Sequence, residues 1–210
     1  PMKEYSTFKV GGPADLVFFP ASTQELVFAA NISKENEILL TILGNGSNIL
    51  VSDKGIRGFT IIIGKYFSGI RLESETVLSA DAGAMLSAVS KFAASKGLSG
   101  MEFAAGIPGT IGGAIYMNAG AYDGCMADIV IRTKGYNPNT GEIFTIESSL
   151  NHNFAYRKSF YIDSKSIVLN IWIELKKGDF DEINNKMSDL SLRRKTSQPL
   201  ELPSAGSTFK

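Results

Sequence analysis

Leu43-Gly44-Asn45-Gly46-Ser47-Asn48-Ile49-Leu50 and, about sixty residues later, Gly106-Ile107-Pro108-Gly109-Thr110-Ile111-Gly112-Gly113 are the stretches on which the reading of this chain turns. The first is flanked on both sides by apolar residues, and neither has the character of a linker. Glycine has no Cβ to hold a ligand away, so such loops let main-chain N–H groups come close to something. A nest of that kind favours an anion, above all a pyrophosphate. Two of them predict one large ligand gripped at two places. Taken alone, the first loop also reads as a tight turn between strands, because Asn-Gly is a favoured turn pair. The second is harder to explain as a turn. Four glycines in eight residues carry a large entropic cost unless the backbone shape is required. No Gly-Lys-Ser/Thr follows it, so it is not a phosphate-binding P-loop. Its spacing also departs from the dinucleotide fingerprint. Its apolar character suits packing beneath a flat aromatic ring as well as holding phosphate.

Outward from these loops the chain divides into recognisable elements. Ser22 and Glu25 form a capping box that opens a helix running to about Lys34, with Leu26, Ala29 and Ala30 on one face. Ile38 to Leu43 is a short apolar run that reads as a buried strand and delivers the chain into the first glycine loop, after which Ile49-Leu50-Val51 resumes it. Phe59 to Ile63 is a β-branched strand. Ile70 to Ala80 predicts one or two short strands, and Ala84 to Lys96 a helix stopped by Gly97. A short helix is expected over Thr110 to Asn118. Strands at Ile129 to Ile131 and Glu142 to Ile146 are joined through the turn signal Asn137 to Gly141. Ser166 to Leu175 is a long strand, and Asp179 with Glu182 starts a helix that should end before Pro199. This predicts a βα-then-β unit over residues 1–65, a mixed α+β sheet over 66–178, and the start of a further unit over 179–210.

Composition narrows the classes of function. The chain has 210 residues, 44% of them hydrophobic and 20% charged, with zero formal net charge from 21 basic and 21 acidic side chains. It offers no global field to attract nucleic acid or an anionic membrane. No apolar run approaches the roughly 18 residues needed to span a bilayer, and the N-terminus lacks the layout of a secretory signal. The single cysteine, Cys125, favours a reducing compartment. The reading is therefore a cytoplasmic protein with no nucleic-acid or membrane partner. The end at Ser204 to Lys210, inside a small-residue turn, leads us to expect more sequence beyond Lys210.

Few other residues stand out. Tyr156-Arg157-Lys158-Ser159 offers a planar guanidinium suited to a carboxylate, although from this tetrapeptide alone a surface arginine is the favoured reading. Arg193-Arg194-Lys195 closes a helix, where cations offset the dipole, and phosphate binding is the competing reading of Arg194. Ser207, in a turn with Ala205 and Gly206, lacks the spacing of a hydrolase nucleophile. His152 is the only histidine and makes no metal constellation. Trp172, Phe18 and Phe19 are expected in the core.

Five motifs, taken in order, point to one family. Tyr5 to Ala14, Leu43 to Leu50, Gly100 to Gly109 continuing through Asn118-Ala119-Gly120-Ala121-Tyr122, Tyr156 to Ser159, and Gln198-Pro199-Leu200 with Pro203 to Lys210 resemble the signatures of the UDP-N-acetylenolpyruvoylglucosamine reductases. These are flavoproteins that make UDP-N-acetylmuramic acid for bacterial peptidoglycan. The resemblance implies an α+β fold: a two-subdomain FAD-binding module of the vanillyl-alcohol-oxidase/cresol-methylhydroxylase type, followed by the start of a substrate-binding α+β domain. It implies FAD as cofactor, NADPH as hydride donor, a UDP-sugar substrate and a monomer. It places Gly44, Asn45, Gly46, Ser47 and Asn48 on the FAD pyrophosphate. It places Gly106, Ile107, Pro108, Gly109, Thr110, Gly112 and Gly113 along the flavin, with Asn118 and Arg194 as further cofactor contacts. Tyr156, Arg157 and Ser207 fall to the substrate, with Arg157 polarising its carboxylate and Ser207 supplying a proton. The glutamate that partners the serine in the family has no match in this chain. The alternative to a reductase is a truncated, non-catalytic flavin- or nucleotide-binding fragment.

Overall fold

A computed structural model describes residues 1–199 and 201–203. Strand β1 (Ala14–Phe18) leads into helix α1 (Thr23–Glu35), then β2 (Leu40–Leu43) and β3 (Ile56–Ile62). β4 (Ile70–Leu72) and β5 (Val77–Asp81) precede α2 (Leu86–Ser95) and the two-residue β6 (Leu98–Ser99). Helix α3 (Ile111–Met117) is followed by the short pair β7 (Gly120–Ala121) and β8 (Gly124–Cys125), then β9 (Val130–Asn137) and β10 (Glu142–Ile146). The described chain closes with α4 (Phe160–Ser164), β11 (Ile167–Glu174), β12 (Lys176–Lys177) and α5 (Phe180–Ser197).

These elements make two principal sheets. The first is parallel, with order β1-β3-β2. α1 is the crossover between β1 and β2, and it buries Leu26, Ala29 and Ala30. Its N-cap is Ser22, whose side chain accepts the Glu25 N–H. The Glu25 carboxylate takes the N–H of Ala21 rather than that of Ser22, so the reciprocal bond falls one residue earlier than a capping box has it. The second sheet is antiparallel, with order β10-β9-β11-β5-β4. One continuous cluster of buried apolar side chains runs from Leu26 and Ile61 in the first sheet's layer to Leu78, Ile171 and Ile173 in the second. The two sheets thus share a core. Helix α5, capped by Asp179, packs on the turn Glu102–Ala104 and on α2.

Several sequence expectations are corrected. Residues 49–51 form no strand, whereas Ala14–Phe18 and Phe160–Ser164, read as neither strand nor helix, are ordered elements. β1 is an edge strand with Asp15 and Leu16 exposed, so no clear alternation marks it. α2 starts at Leu86 and not at Ala84. The Ala84 carbonyl accepts the Ile111 N–H and the Leu86 N–H donates to the Gly109 carbonyl, so this strand-like bridge displaces the first helical turn. Trp172 does not enter the core. It faces outward from β11, half-buried, with the Arg132 guanidinium 4.8 Å from its ring centroid.

Candidate active site

A parallel sheet exposes the carboxyl ends of its strands on one side, and ligands bind there. Here β1 runs out into Phe19, β2 into Gly44 and Asn45, and β3 into Gly64, Lys65 and Tyr66. All of these residues line one groove of about 560 Å³, which is closed on the far side by Gly83, Ala84, Met85 and Thr110. A second hollow of about 430 Å³, bounded by Glu4 to Thr7 and Lys9, shares Tyr5, Gly44, Asn45 and Ile62 with the first.

The first glycine loop enters the shared wall through Gly44 and Asn45. Among the described residues, the N–H groups of Asn45, Gly46, Ser47 and Asn48 donate to no protein acceptor, and the Ser47 and Asn48 side chains have no protein partner. Four successive unpaired amides beside a groove make a concave anion cradle, and at Gly46, the buried one of the four, an unpaired donor with no ligand or water carries a desolvation cost. The loop is tight as well. Gly46 has φ +63° and a Cβ there would stand 2.0 Å from the Tyr5 carbonyl oxygen, while a Cβ on Gly44 would meet Thr110 Oγ1 at 2.3 Å.

The second glycine loop is built differently. The amides of Ile107, Ile111 and Gly112 donate to the carbonyls of Ala104, Ala84 and Ala82. Gly113 N–H donates to Thr110 Oγ1, which makes Thr110 the N-cap of α3. Most of its donors are therefore taken up inside the protein, and of its residues only Thr110 lines the groove. Of its four glycines, a Cβ would collide at Gly112 (2.7 Å from Ala82 Cβ) and press on Arg194 Cδ at Gly106 (3.0 Å), whereas Gly109 and Gly113 meet nothing closer than 3.6 and 3.4 Å. Asn45 Nδ2 donates to the Pro108 carbonyl at 2.8 Å. This bond ties together two loops that lie far apart in the chain.

This groove carries the features that a flavin dinucleotide requires: an anion cradle, a small-residue wall and an aromatic flank in which Tyr5 and Phe19 stand 5.4 Å apart. Residues 14–147 match a protein-family model described as an FAD binding domain. Over its whole length the chain is 47% identical to the UDP-N-acetylenolpyruvoylglucosamine reductase of Alkaliphilus oremlandii (strain OhILAs), of which it covers 68%. It is 45% identical to the enzyme of the same name from Clostridioides difficile (strain 630), again covering 68%. The crystal structure of UDP-N-acetylenolpyruvylglucosamine reductase from Thermus caldophilus superposes with a TM-score of 0.83 at 34% identity, over 100% of this chain and 72% of that one. The chain belongs to the UDP-N-acetylenolpyruvoylglucosamine reductase family. The α+β FAD-binding module expected from the sequence agrees with the family match and the architecture.

In this reductase chain the remaining sequence-derived site residues are spread out. Arg194, half-buried on α5, lies against Gly106. Tyr156 and Arg157 sit at the tip of a tight exposed turn, with the Arg157 guanidinium 5.8 Å from the Tyr156 ring centroid. Asn118 bonds to the Ala155 carbonyl and the Ala127 amide. None of these four lines the groove. Ser207 lies outside the described residues. The sequence reading missed Tyr5, Lys65, Tyr66 and the Gly83 to Met85 wall, and it assigned Phe19 to the core, although Phe19 is half-buried on the groove. For all but Tyr5 the available signal was positional: each follows closely on a strand end.

His152 is buried and structural. Its Nδ1–H donates to the Ser148 carbonyl at 2.9 Å, and its Nε2 accepts the Thr133 hydroxyl at 2.8 Å. Thr133 in turn accepts the Tyr161 hydroxyl at 2.7 Å. Burial pushes the His152 imidazole below its usual range, against the opposing pull of the Ser148 and Ser149 main chain. Burial also pushes the Tyr161 phenol up to about 12. Among the described residues there is no group of three or more His, Cys, Asp and Glu side chains that could hold a metal ion.

Proposed function

We propose that this chain reduces the enolpyruvyl ether of UDP-N-acetylglucosamine to the lactyl ether of UDP-N-acetylmuramate, with FAD as cofactor and NADPH as the source of the two electrons. The observation that carries the reading is the run of four unpaired amides, Asn45 to Asn48, beside a groove walled on its other side by Gly83, Ala84, Met85 and Thr110. These amides hold the FAD pyrophosphate. Gly44, Thr110 and the loop Gly106 to Gly113 bound the space beside it, and Arg194 backs that loop at Gly106. When bound, the flavin supplies hydride chemistry.

The residues of the chain do the rest. A hydride must reach the β-carbon of an enol ether, which is electron-rich and resists it. Arg157, with Tyr156 beside it, holds the substrate carboxylate and stabilises the negative charge that develops on it. Ser207 delivers a proton to the α-carbon, so that one hydride and one proton together saturate the double bond. A hydroxyl acts in this way only when the fold places it and nearby charge assists it. Residues 1–65 and 66–178 form the two cofactor-binding subdomains, and 179–210 begin the substrate domain. The protein works as a monomer in the cytoplasm, without nucleic-acid or membrane partners. A zero net charge, which sets up no field to attract nucleic acid or an anionic membrane, supports the last point, and among the described residues no helix is long and apolar enough to cross a membrane.

The test is spectroscopic. Purified under anaerobic conditions, the protein is expected to be yellow, to bleach on NADPH, and to recover its colour when the enolpyruvyl UDP-sugar is added. Bleaching without recovery removes the reductase reading and leaves a flavin-binding protein. A colourless protein that takes up no added FAD removes both.

A further inference from the structure

Among the described residues, two hydrogen bonds fasten the turn that carries Arg157 to helix α3. Ala155 and Lys158 exchange both main-chain hydrogen bonds, at 3.2 and 3.1 Å, leaving Tyr156 and Arg157 at the tip. Arg157 has φ +53°, a left-handed conformation that is costly for a residue with a side chain. A four-residue exposed turn with such a tip does not keep one orientation unaided. The first tie is Asn118. It ends α3 at φ 42° and ψ 56°, its Nδ2 donates to the Ala155 carbonyl at 3.1 Å, and its Oδ1 accepts the Ala127 N–H at 3.0 Å. The second is Ser159, fully buried, whose hydroxyl donates to the Tyr116 carbonyl at 2.7 Å. Both ties land on the C-terminal end of α3. The other end of α3 is Thr110, which lines the groove. A helix of this length is a strut of about 10 Å.

Asparagine suits the position for two reasons: it tolerates the left-handed conformation, and its carboxamide can give and accept a hydrogen bond at once. We propose that Asn118 is a positioning residue for Arg157: through the Ala155 carbonyl it fastens the Tyr156–Arg157 turn to α3, so that the carboxylate-binding arginine and the groove wall at Thr110 move as one piece. This rests on the assignment of Arg157 made above.

Asn118→Asp keeps the acceptor for Ala127 and the tolerance of the left-handed conformation but loses the donor to Ala155. Asn118→Gly keeps the backbone geometry and loses both bonds. In the flavin-loaded full-length protein, Asn118→Asp is expected to slow substrate-driven reoxidation of the flavin about tenfold, the size of one well-placed hydrogen bond. FAD content and NADPH-driven bleaching should stay within about twofold of the parent, since neither passes through the turn. In an Arg157→Ala background the same substitution should have no further effect on reoxidation, because the two residues act as one unit. A readout without flavin comes from limited trypsin digestion of the apoprotein. Cleavage after Arg157 and Lys158 should rise about tenfold in both variants, following the population of the opened turn. The proposal is overturned if Asn118→Asp slows reoxidation equally with and without Arg157, if bleaching falls in parallel, or if trypsin sensitivity at the turn is unchanged. If Arg157→Ala itself reoxidises at the parental rate, the Arg157 assignment fails, and the positioning role fails with it even where trypsin shows the turn released.

Discussion

Gly46 and Gly109 look alike in the sequence, each a loop glycine beside small residues, yet the structure separates them. At Gly46 the backbone is left-handed and a methyl group would sit 2.0 Å from the Tyr5 carbonyl, on the wall of the groove. Gly46→Ala is expected to cost roughly 1–3 kcal/mol from backbone strain alone and to lower FAD retention. At Gly109 a Cβ meets its nearest atom, Ser47 Oγ, at 3.6 Å, an ordinary contact. Gly109→Ala should melt close to the parent. Flavin-to-protein absorbance ratios and thermal melts of the two variants check this, and indistinguishable behaviour would contradict the geometry. The sequence supplied both loops and the likeness that placed them on a cofactor. It did not reveal that the amides of Asn45 to Asn48 are unpaired while those of Ile111 and Gly112 are taken up by the carbonyls of Ala84 and Ala82, because hydrogen-bond partners that distant in the chain leave no local mark. Asn118 was read as a cofactor contact, whereas its carboxamide is bonded to the Arg157 turn and to Ala127.

At the scale of elements, legibility followed the caps. α1 and α5 announce themselves through Ser22 and Asp179, and α2 ends before Gly97, which has φ +65°. β1 and α4 escaped notice because each is short, the one an edge strand with two exposed residues and the other held by tertiary contacts more than by its own pattern. α5 is mostly exposed, with Ile183 its only buried residue among those described, so its stability depends on local features. The Asp179 carboxylate accepts the N–H groups of Asp181 and Glu182 at 2.9 and 3.0 Å. Asp179→Ala should cost about 1 kcal/mol, while Asp179→Asn should cost much less. Both are readable by urea denaturation, and equal midpoints for parent and alanine variant would show that the cap contributes nothing. Because α5 carries Arg194 to Gly106, the alanine variant also tests whether the helix supports the second loop.

For the molecule as a whole, the buried His152 makes stability depend on pH. Its imidazole is neutral in the fold and titrates below its ordinary value, because burial penalises the charged form. In the unfolded chain it protonates near the ordinary value of about 6.5. Below that pH the unfolded state binds a proton that the native state refuses, so stability falls as pH drops from about 6.5 toward the depressed native value and is unaffected by this group above it. Unfolding free energies measured between pH 7.5 and 5.5 should therefore decline. His152 is the only histidine, so a His152→Gln protein should be less stable throughout but lack that slope; a parallel slope would assign the effect to other groups. The sequence by itself determined the capped helices and the longer strands, the α+β class and the two glycine loops with their family likeness, since these rest on periodicity, caps and motif spacing within short windows. Only the tertiary structure decided that the three parallel strands end on one groove, that Asn45 reaches Pro108 across two loops, and that α3 links Thr110 to the Arg157 turn. Each of those contacts joins residues that are brought side by side by burial of one shared core, and a linear pattern cannot encode which distant backbone atoms that burial places within hydrogen-bond reach.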